Sequence, residues 1–190
     1  MTKILRIDSS IKGDASISKR LTDKIVDTLG GDVTSRDATK IPAIDGAWIG
    51  AVYTPADQRS DEQKALLTLS DELIAELKAA DTVVIGCGVY NFGVTGPLKA
   101  WIDQICRVGE TFRYSEAGPE GLAGPKRVII AYSSGGVPVG SAFDFATPYI
   151  KQVLGFIGIT DVTVVAAEGV NIDEAAAIAK AEEQIIHLAA

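Results

Sequence analysis

Apolar and polar positions follow two rhythms along this chain, and the rhythms take turns. Short runs rich in Val and Ile, bounded by turn residues, occur in "KILRID" (3–8), "DTVVIGCG" (81–88), "RVIIAYSS" (127–134) and "DVTVVAA" (161–167), and they predict strands. "DVTSRD" (32–37) fits a further strand. Between these runs, apolar residues recur at helical spacing. Ile17, Leu21, Ile25 and Leu29 form one set, closed by Gly30-Gly31; Leu66, Leu69, Leu73 and Leu77 form the next; Leu98, Trp101, Ile102 and Ile105 form a third. "TPYIKQVLGFIG" (147–158) is helical with Pro148 in its first turn, and Asp173 to Leu188 predicts a final amphipathic helix. Residues 38–57, "ATKIPAIDGAWIGAVYTPAD", follow neither rhythm and read as a long irregular excursion.

Strands alternating with helices predict an α/β domain with a parallel sheet covered by helices on both faces. Five strands fit the flavodoxin-like order 2-1-3-4-5 in one domain spanning residues 1–190. In such sheets a ligand binds beyond the carboxyl ends of the strands, where the order switches between strands 1 and 3. The loops after strands 1, 3 and 4 are therefore the places to look for chemistry.

The loop after strand 1, "DSSIKGDASISKR", lacks the G-x-G-x-x-G dinucleotide fingerprint but carries Ser9, Ser10, Ser16 and Ser18 around a helix start. Free N–H groups at a helix N-terminus, with added hydroxyls, can cradle a single phosphate; Lys12 and Lys19 are candidates to assist. Taken alone, the serines are better explained as a cap and a turn. The loop after strand 3, "GVYNFGVTG", puts Tyr90 and Phe92 on either side of Asn91, an arrangement suited to bordering a flat ligand, although a covered apolar loop is the plainer alternative. The loop after strand 4, "SSGGVPVG", offers glycines that let backbone approach a planar group, or simply make a turn. Together the three loops point to a flat, singly phosphorylated ligand, a description that flavin mononucleotide (FMN) meets.

Composition narrows the field. The 190-residue chain is 47% apolar with a formal net charge of −7, and no basic stripe offers a nucleic-acid groove. No apolar run is long enough to span a bilayer, and "MTKILRIDSS" reads as a mature start, so a cytoplasmic location is expected. Cys87 and Cys106 have no metal or redox spacing and are expected to be reduced and buried. The single histidine, His187, lies near the C-terminus and is expected to be a solvated helix-end residue, which leaves Ser-His-Asp or Cys-His chemistry without a base.

At this point the chain resembles the FMN-dependent NADH azoreductases, also described as NADH:quinone oxidoreductases, of the flavodoxin-like fold. The resemblance runs nearly end to end. It is carried by "SSI" and "SIS", "LSDELIAELKAADTVVI", "YNF", "TFRYSEAGPEGLAGPKRVII", "GG" after strand 4, and "TPYIKQVLGFIGITDV" followed by "AEG". It implies tightly bound FMN, with Ser10, Ser16, Ile17 and Ser18 around the phosphate. Val89, Tyr90, Asn91 and Phe92 would border the flavin, and Ser133, Ser134, Gly135 and Gly136 would hold its pyrimidine side. Tyr114 and Phe156 would wall the substrate pocket of a homodimer with its active sites at the subunit interface. Val89, Ser134 and the segment near Pro138 depart from residues common in the family, and an Arg occurs near the position of Tyr53 in some relatives; these changes bear on substrate range and nicotinamide preference rather than on FMN.

The resemblance further implies a ping-pong reaction. NADH reduces the flavin, and a quinone or an aromatic azo compound then takes the same place. The flavin carries the chemistry and no side chain is expected to be catalytic. A flavodoxin-like FMN electron carrier is the main alternative, since an acidic surface suits a basic redox partner. The 41–57 excursion, Tyr114 and Phe156 argue against it. A phosphoacceptor module would need acids at the ends of strands 1 and 3, and only Asp8 qualifies.

Overall fold

Five parallel strands carry the architecture of the computed structural model, which describes residues 1–189; Ala190, the last residue of the expected domain, lies outside the described residues. In chain order the elements are β1 (Lys3–Asp8), α1 (Ile17–Leu29), β2 (Asp32–Asp37), α2 (Gly46–Tyr53), α3 (Asp61–Ala79), β3 (Thr82–Gly88), α4 (Gly96–Ile105), β4 (Phe112–Ser115), β5 (Gly118–Gly121), β6 (Arg127–Ser134), α5 (Ala146–Phe156), β7 (Asp161–Glu168) and α6 (Glu174–Ile186). The main sheet runs β2-β1-β3-β6-β7, all parallel. With the β4–β5 hairpin set aside, this is the flavodoxin-like order expected from the sequence.

Strand β3 explains the apolar run at 82–88: every one of its residues is buried. Successive side chains point to opposite faces. Val83, Ile85 and Cys87 join Leu5, Ile7, Val128, Ile130 and Tyr132 under α3, α4 and α5. Val84 joins Ile4, Ile129, Ala131 and Val165 under α1 and α6. Each fully buried aliphatic side chain contributes about 1.5–3 kcal/mol, so the two faces of this one strand are the centre of the core. Glycine at 86 lets α1 close on the strand, since a Cβ there would meet the Thr22 methyl at 3.3 Å and the Ile7 carbonyl at 3.4 Å.

Two expectations are corrected. Residues 38–57 are not irregular throughout: they contain α2, whose start is capped by the Asp45 carboxylate accepting from Trp48 N–H at 2.8 Å. Its far end is gathered by the Arg59 guanidinium, which donates to the carbonyls of Ala51 and Thr54 at 3.0 Å. Trp48 and Ala51 pack on Leu67 of α3. The second correction is the antiparallel hairpin β4–β5, which no periodicity announced. A fork between Arg113 and Glu120 crosses it at 2.8 and 2.9 Å, but both residues are exposed and such pairs contribute little. Its anchorage is steric and backbone-borne. Ala123 N–H donates to the Ile157 carbonyl at 3.0 Å, and Gly121 lies against Gly158 so closely that a Cβ would fall 2.1 Å from the Gly158 nitrogen. Among the described residues no helix is long and apolar enough to cross a membrane.

Because the atoms met at Gly121 are backbone, no side chain can swing aside to admit a methyl group. Gly121→Ala should therefore destabilise the protein by roughly 1–3 kcal/mol, read as a lower urea midpoint. A midpoint equal to that of the wild type would mean that the hairpin is not held at contact distance on the end of α5.

Candidate functional site

The carboxyl ends of β1, β3 and β6 open into a cleft of about 260 Å³. Ser10, Lys12, Ser16, Ile17 and Ser18 line it from the first loop, Gly88, Val89, Tyr90 and Asn91 from the second, and Ser133, Ser134 and Gly135 from the third. The loops are tied to one another beneath it. Ser9 Oγ donates to the Gly86 carbonyl at 2.6 Å, Thr95 Oγ1 donates to the Ser9 carbonyl at 3.1 Å, and Val89 N–H donates to the Ser133 carbonyl at 2.9 Å.

The first loop caps a helix, as its sequence suggested, and turns the N-terminus of that helix to the cleft. Ser16 caps α1, its Oγ accepting from Lys19 N–H at 3.1 Å, and it lies 3.1 Å from Ser18 Oγ; both hydroxyls are buried. The first helical turn leaves the N–H groups of Ile17 and Ser18 without an intrahelical acceptor. These groups and the positive end of the helix dipole make an anion site without needing a basic patch. Lys12 is the basic residue on the cleft, whereas the Lys19 ammonium turns to Asp14 at 2.9 Å.

The second loop is a tight reversal. Tyr90 and Gly93 exchange backbone hydrogen bonds at 3.2 and 3.0 Å. Asn91 and Phe92 between them both have positive φ, 49° and 71°, as a type I′ turn requires. Asparagine tolerates that conformation. Phenylalanine does so at a cost, and such strain gathers at working sites. The turn leaves the Tyr90 and Phe92 rings part-exposed at the rim. Glycine at 88 makes the floor. A Cβ there would lie 3.3 Å from the Tyr90 ring and 3.9 Å from the hydroxyls of both Ser18 and Ser133, in the space where the three loops converge.

In the third loop, Ser134 is committed internally, because its buried Oγ donates to the Val137 carbonyl at 2.5 Å and accepts from Val137 N–H at 3.2 Å. Gly136 is exposed and, like Phe92, stands outside the residues that line the cleft itself. Two lining residues were missed, Val170 and Asn171, which follow β7. Their N–H groups donate to the carbonyls of Ser134 and Gly135 at 3.1 and 3.2 Å. The Asn171 amide lies against Gly135, where a Cβ would come within 2.3 Å of it and would push that side chain from its place. The "AEG" element at 167–169 was the available signal, since it places a loop at the same sheet edge.

Tyr114 and Phe156 are not on this cleft. They meet through Phe112 beside the hairpin, with ring centroids 5.7 Å and 4.5 Å from it, and Tyr114 is 71% exposed. Neither cysteine is poised for thiolate chemistry: burial, with carboxylates nearby, pushes both thiols up to about 12. His187 follows α6 and lines no part of the cleft. Another hollow, of about 300 Å³, lies at the amino ends of β1 and β2 against the surface of α3 and offers no helix N-terminus.

A doubly wound parallel sheet with a cleft at its switch point defines a flavodoxin-like protein. Comparison with known proteins agrees and goes further. A family model described as "Flavodoxin-like fold" matches residues 2–188. An FMN-dependent NADH:quinone oxidoreductase 1 from Jannaschia sp. (strain CCS1) is 58% identical over 191 residues, covering 100% of both chains. Among solved structures, an azoreductase from Bacillus anthracis (strain Sterne) aligns with a TM-score of 0.89 at 24% identity, covering 100% of this chain and 99% of the other. An FMN-dependent NADH-azoreductase from Bacillus anthracis (strain Ames Ancestor), in complex with FMN, aligns with a TM-score of 0.87 at 23% identity, covering 100% and 98%. At those identities the two structures bear on the fold. The chain belongs to the family of FMN-dependent NADH:quinone oxidoreductases.

The third loop ends on Asp144, buried at the start of α5, which accepts from the N–H groups of Gly140, Ala146 and Thr147 at 2.9, 3.1 and 3.0 Å and from the Thr147 hydroxyl. Burial opposes its charge, but the Thr147 hydroxyl and the three N–H donors outweigh it and lower its pKa. A carboxylate with a lowered folded-state pKa contributes stability that is present above its unfolded value, about 3.9, and is lost as pH falls through the folded value. Asp144→Asn should therefore lower the melting temperature of the apoprotein at neutral pH. The gap to the wild type should narrow as pH drops below about 4. A gap that stays constant from pH 7 to the acid range would show that the charge of Asp144 adds nothing.

Proposed function

We propose that the chain is an FMN-dependent oxidoreductase that passes two electrons from NADH to quinones and, at the same site, reductively cleaves aromatic azo compounds. The observation that carries this reading is the cleft floor at Gly88, where a missing side chain leaves space between a helix N-terminus, the Tyr90 ring and a glycine loop. The residues present fit a flat group ending in one phosphate. The N–H groups of Ile17 and Ser18, with the hydroxyls of Ser10, Ser16 and Ser18, would hold the phosphate. Tyr90, Asn91 and Phe92 would border the ring on one side, and Ser133, Gly135 and Gly136 on the other, with Val89 beneath. Ser134 would serve by shaping its loop. Bound there, FMN supplies the hydride chemistry that joins a nicotinamide donor to a quinone or azo acceptor. The chain's own part is to position the two partners in turn and to set N–H dipoles where charge develops.

A homodimer completes this reading. Tyr114 and Phe156 lie away from the cleft of their own chain, and Tyr114 is largely exposed, so a second copy is needed to bring these aromatics over a flavin. Phe143 and Phe145, both more than 60% exposed, add apolar surface, with Phe145 N–H held by the Phe92 carbonyl at 3.2 Å. Flat, largely apolar acceptors suit such walls. The reading places the enzyme in the cytoplasm as one flavodoxin-like unit spanning the chain, working without nucleic-acid or membrane partners.

Purified protein should take up FMN and bind FAD at least about tenfold more weakly, because the cradle ends in one phosphate and an adenylate has no fingerprint loop to enter. With FMN it should oxidise NADH in the presence of a quinone, with parallel double-reciprocal lines. Equal affinity for the two flavins, or no NADH oxidation, would refute the assignment. In sedimentation the protein should be a dimer, and Tyr114→Ala should change kcat/KM among quinones and azo dyes by about tenfold or more in ratio, with FMN retained. An active monomer would place Tyr114 outside the site.

A further inference from the structure

The loop from β6 to α5 runs for eleven residues, 135–145, without regular structure, yet its first residue, Gly135, lines the cleft. Its near half is fixed at Val137, whose carbonyl accepts from the hydroxyls of Tyr132 at 2.8 Å and Ser134 at 2.5 Å. Its far half is fixed by Asp144. Between these points stands Val139, and its N–H donates at 2.7 Å to Oε1 of Glu168.

Glu168 is the last residue of β7, paired in register with Ser134, the last residue of β6. Just beyond Gly169, Val170 and Asn171 are the residues whose N–H groups bond to Ser134 and Gly135 and which line the cleft. One residue thus sits where the 135–139 loop and the 169–171 loop are both attached. A carboxylate accepting from a backbone N–H is among the stronger hydrogen bonds available to a loop. Its other oxygen, Oε2, faces the exposed Lys180 ammonium at 3.2 Å, a surface pair of small worth.

We propose that Glu168 is a positioning residue for the cofactor: through Val139 N–H it holds the loop that begins at Gly135 in place at the cleft, without touching the flavin itself. The proposal rests on the reading of the cleft as an FMN site. It separates Glu168 from a merely structural acid, because the contact that matters is to one loop amide rather than to α6.

The test compares Glu168→Ala, Glu168→Gln and Lys180→Ala. FMN affinity is measured by quenching of flavin fluorescence, the melting temperature of each apoprotein is recorded, and hydrogen exchange is followed across 135–140. Glu168→Ala should weaken FMN binding by about tenfold, speed exchange in 135–140 and lower the apoprotein melting temperature by only a few degrees, the worth of one lost hydrogen bond. Glu168→Gln keeps a carbonyl oxygen for Val139 N–H and should restore affinity to within about threefold of wild type. Lys180→Ala should bind FMN as the wild type does. Unchanged FMN affinity in Glu168→Ala overturns the proposal. So does an equal loss in Lys180→Ala, which would assign the effect to the ion pair, or a fall in apoprotein melting temperature that Gln does not restore. Should the wild type itself take up no FMN, the flavin reading fails and the proposed cofactor role falls with it; exchange across 135–140 in Glu168→Ala would then show whether the latch itself exists.

Discussion

The whole carboxyl edge depends on the burial of β3 on both faces. A strand covered by helices on each side must be apolar throughout, and 82–88 meets that demand with small residues exactly where neighbours come close. Gly86 admits α1, which fixes where the N-terminus of that helix points. Gly88 ends the strand without a side chain, and Ser18, Ser133 and Tyr90 converge on the space it leaves. The packing that stabilises the core and the hollow at the sheet edge are therefore two consequences of one strand.

The chain then spends local strain to dress that hollow. Asn91 and Phe92 both occupy the left-handed region, in a turn where Asn-Gly would be the relaxed choice. The phenylalanine at the second position is the departure, and it leaves an aromatic ring at the rim instead of a bare backbone. An apolar core would gain nothing from that arrangement; a flat aromatic ligand and flat acceptors would. The negative net charge would be no obstacle to an anionic ligand, because the cleft offers N–H groups at the start of α1 and the hydroxyls of Ser10, Ser16 and Ser18 rather than a cluster of lysines.

Much of this was legible in the sequence, for identifiable reasons. The strands and their order followed from the alternation of apolar runs with helical spacing, and the switch-point rule led directly to three of the loops that line the cleft. Helix α2 was hidden because "GAWIGAVY" is apolar around its whole circumference and carries two glycines, so it has no helical stripe. The hairpin was hidden because "GPEG" has neither alternation nor β-branched residues, and what holds it is contact with Ile157 and Gly158 far along the chain. "AEG" marked the loop after β7, but not the roles of Asn171 and Glu168 in it, because each acts on a loop more than twenty residues away. Tyr114 and Phe156 entered only through family resemblance, and their distance from the cleft of their own chain is what a site shared between two subunits would produce.

The central claim is that the space left at Gly88 is the flavin's space. Isothermal titration with FMN of the wild type and of Gly88→Ala tests it most directly. The nearest atom to an added methyl group is a carbon of the Tyr90 ring at 3.3 Å, close enough to need only a small shift, so the variant should fold with a wild-type melting temperature. The wild type should bind one FMN per chain, and Gly88→Ala should bind at least about tenfold more weakly because the methyl group occupies the converging point of the three loops. A folded Gly88→Ala that binds FMN as tightly as the wild type would contradict the account.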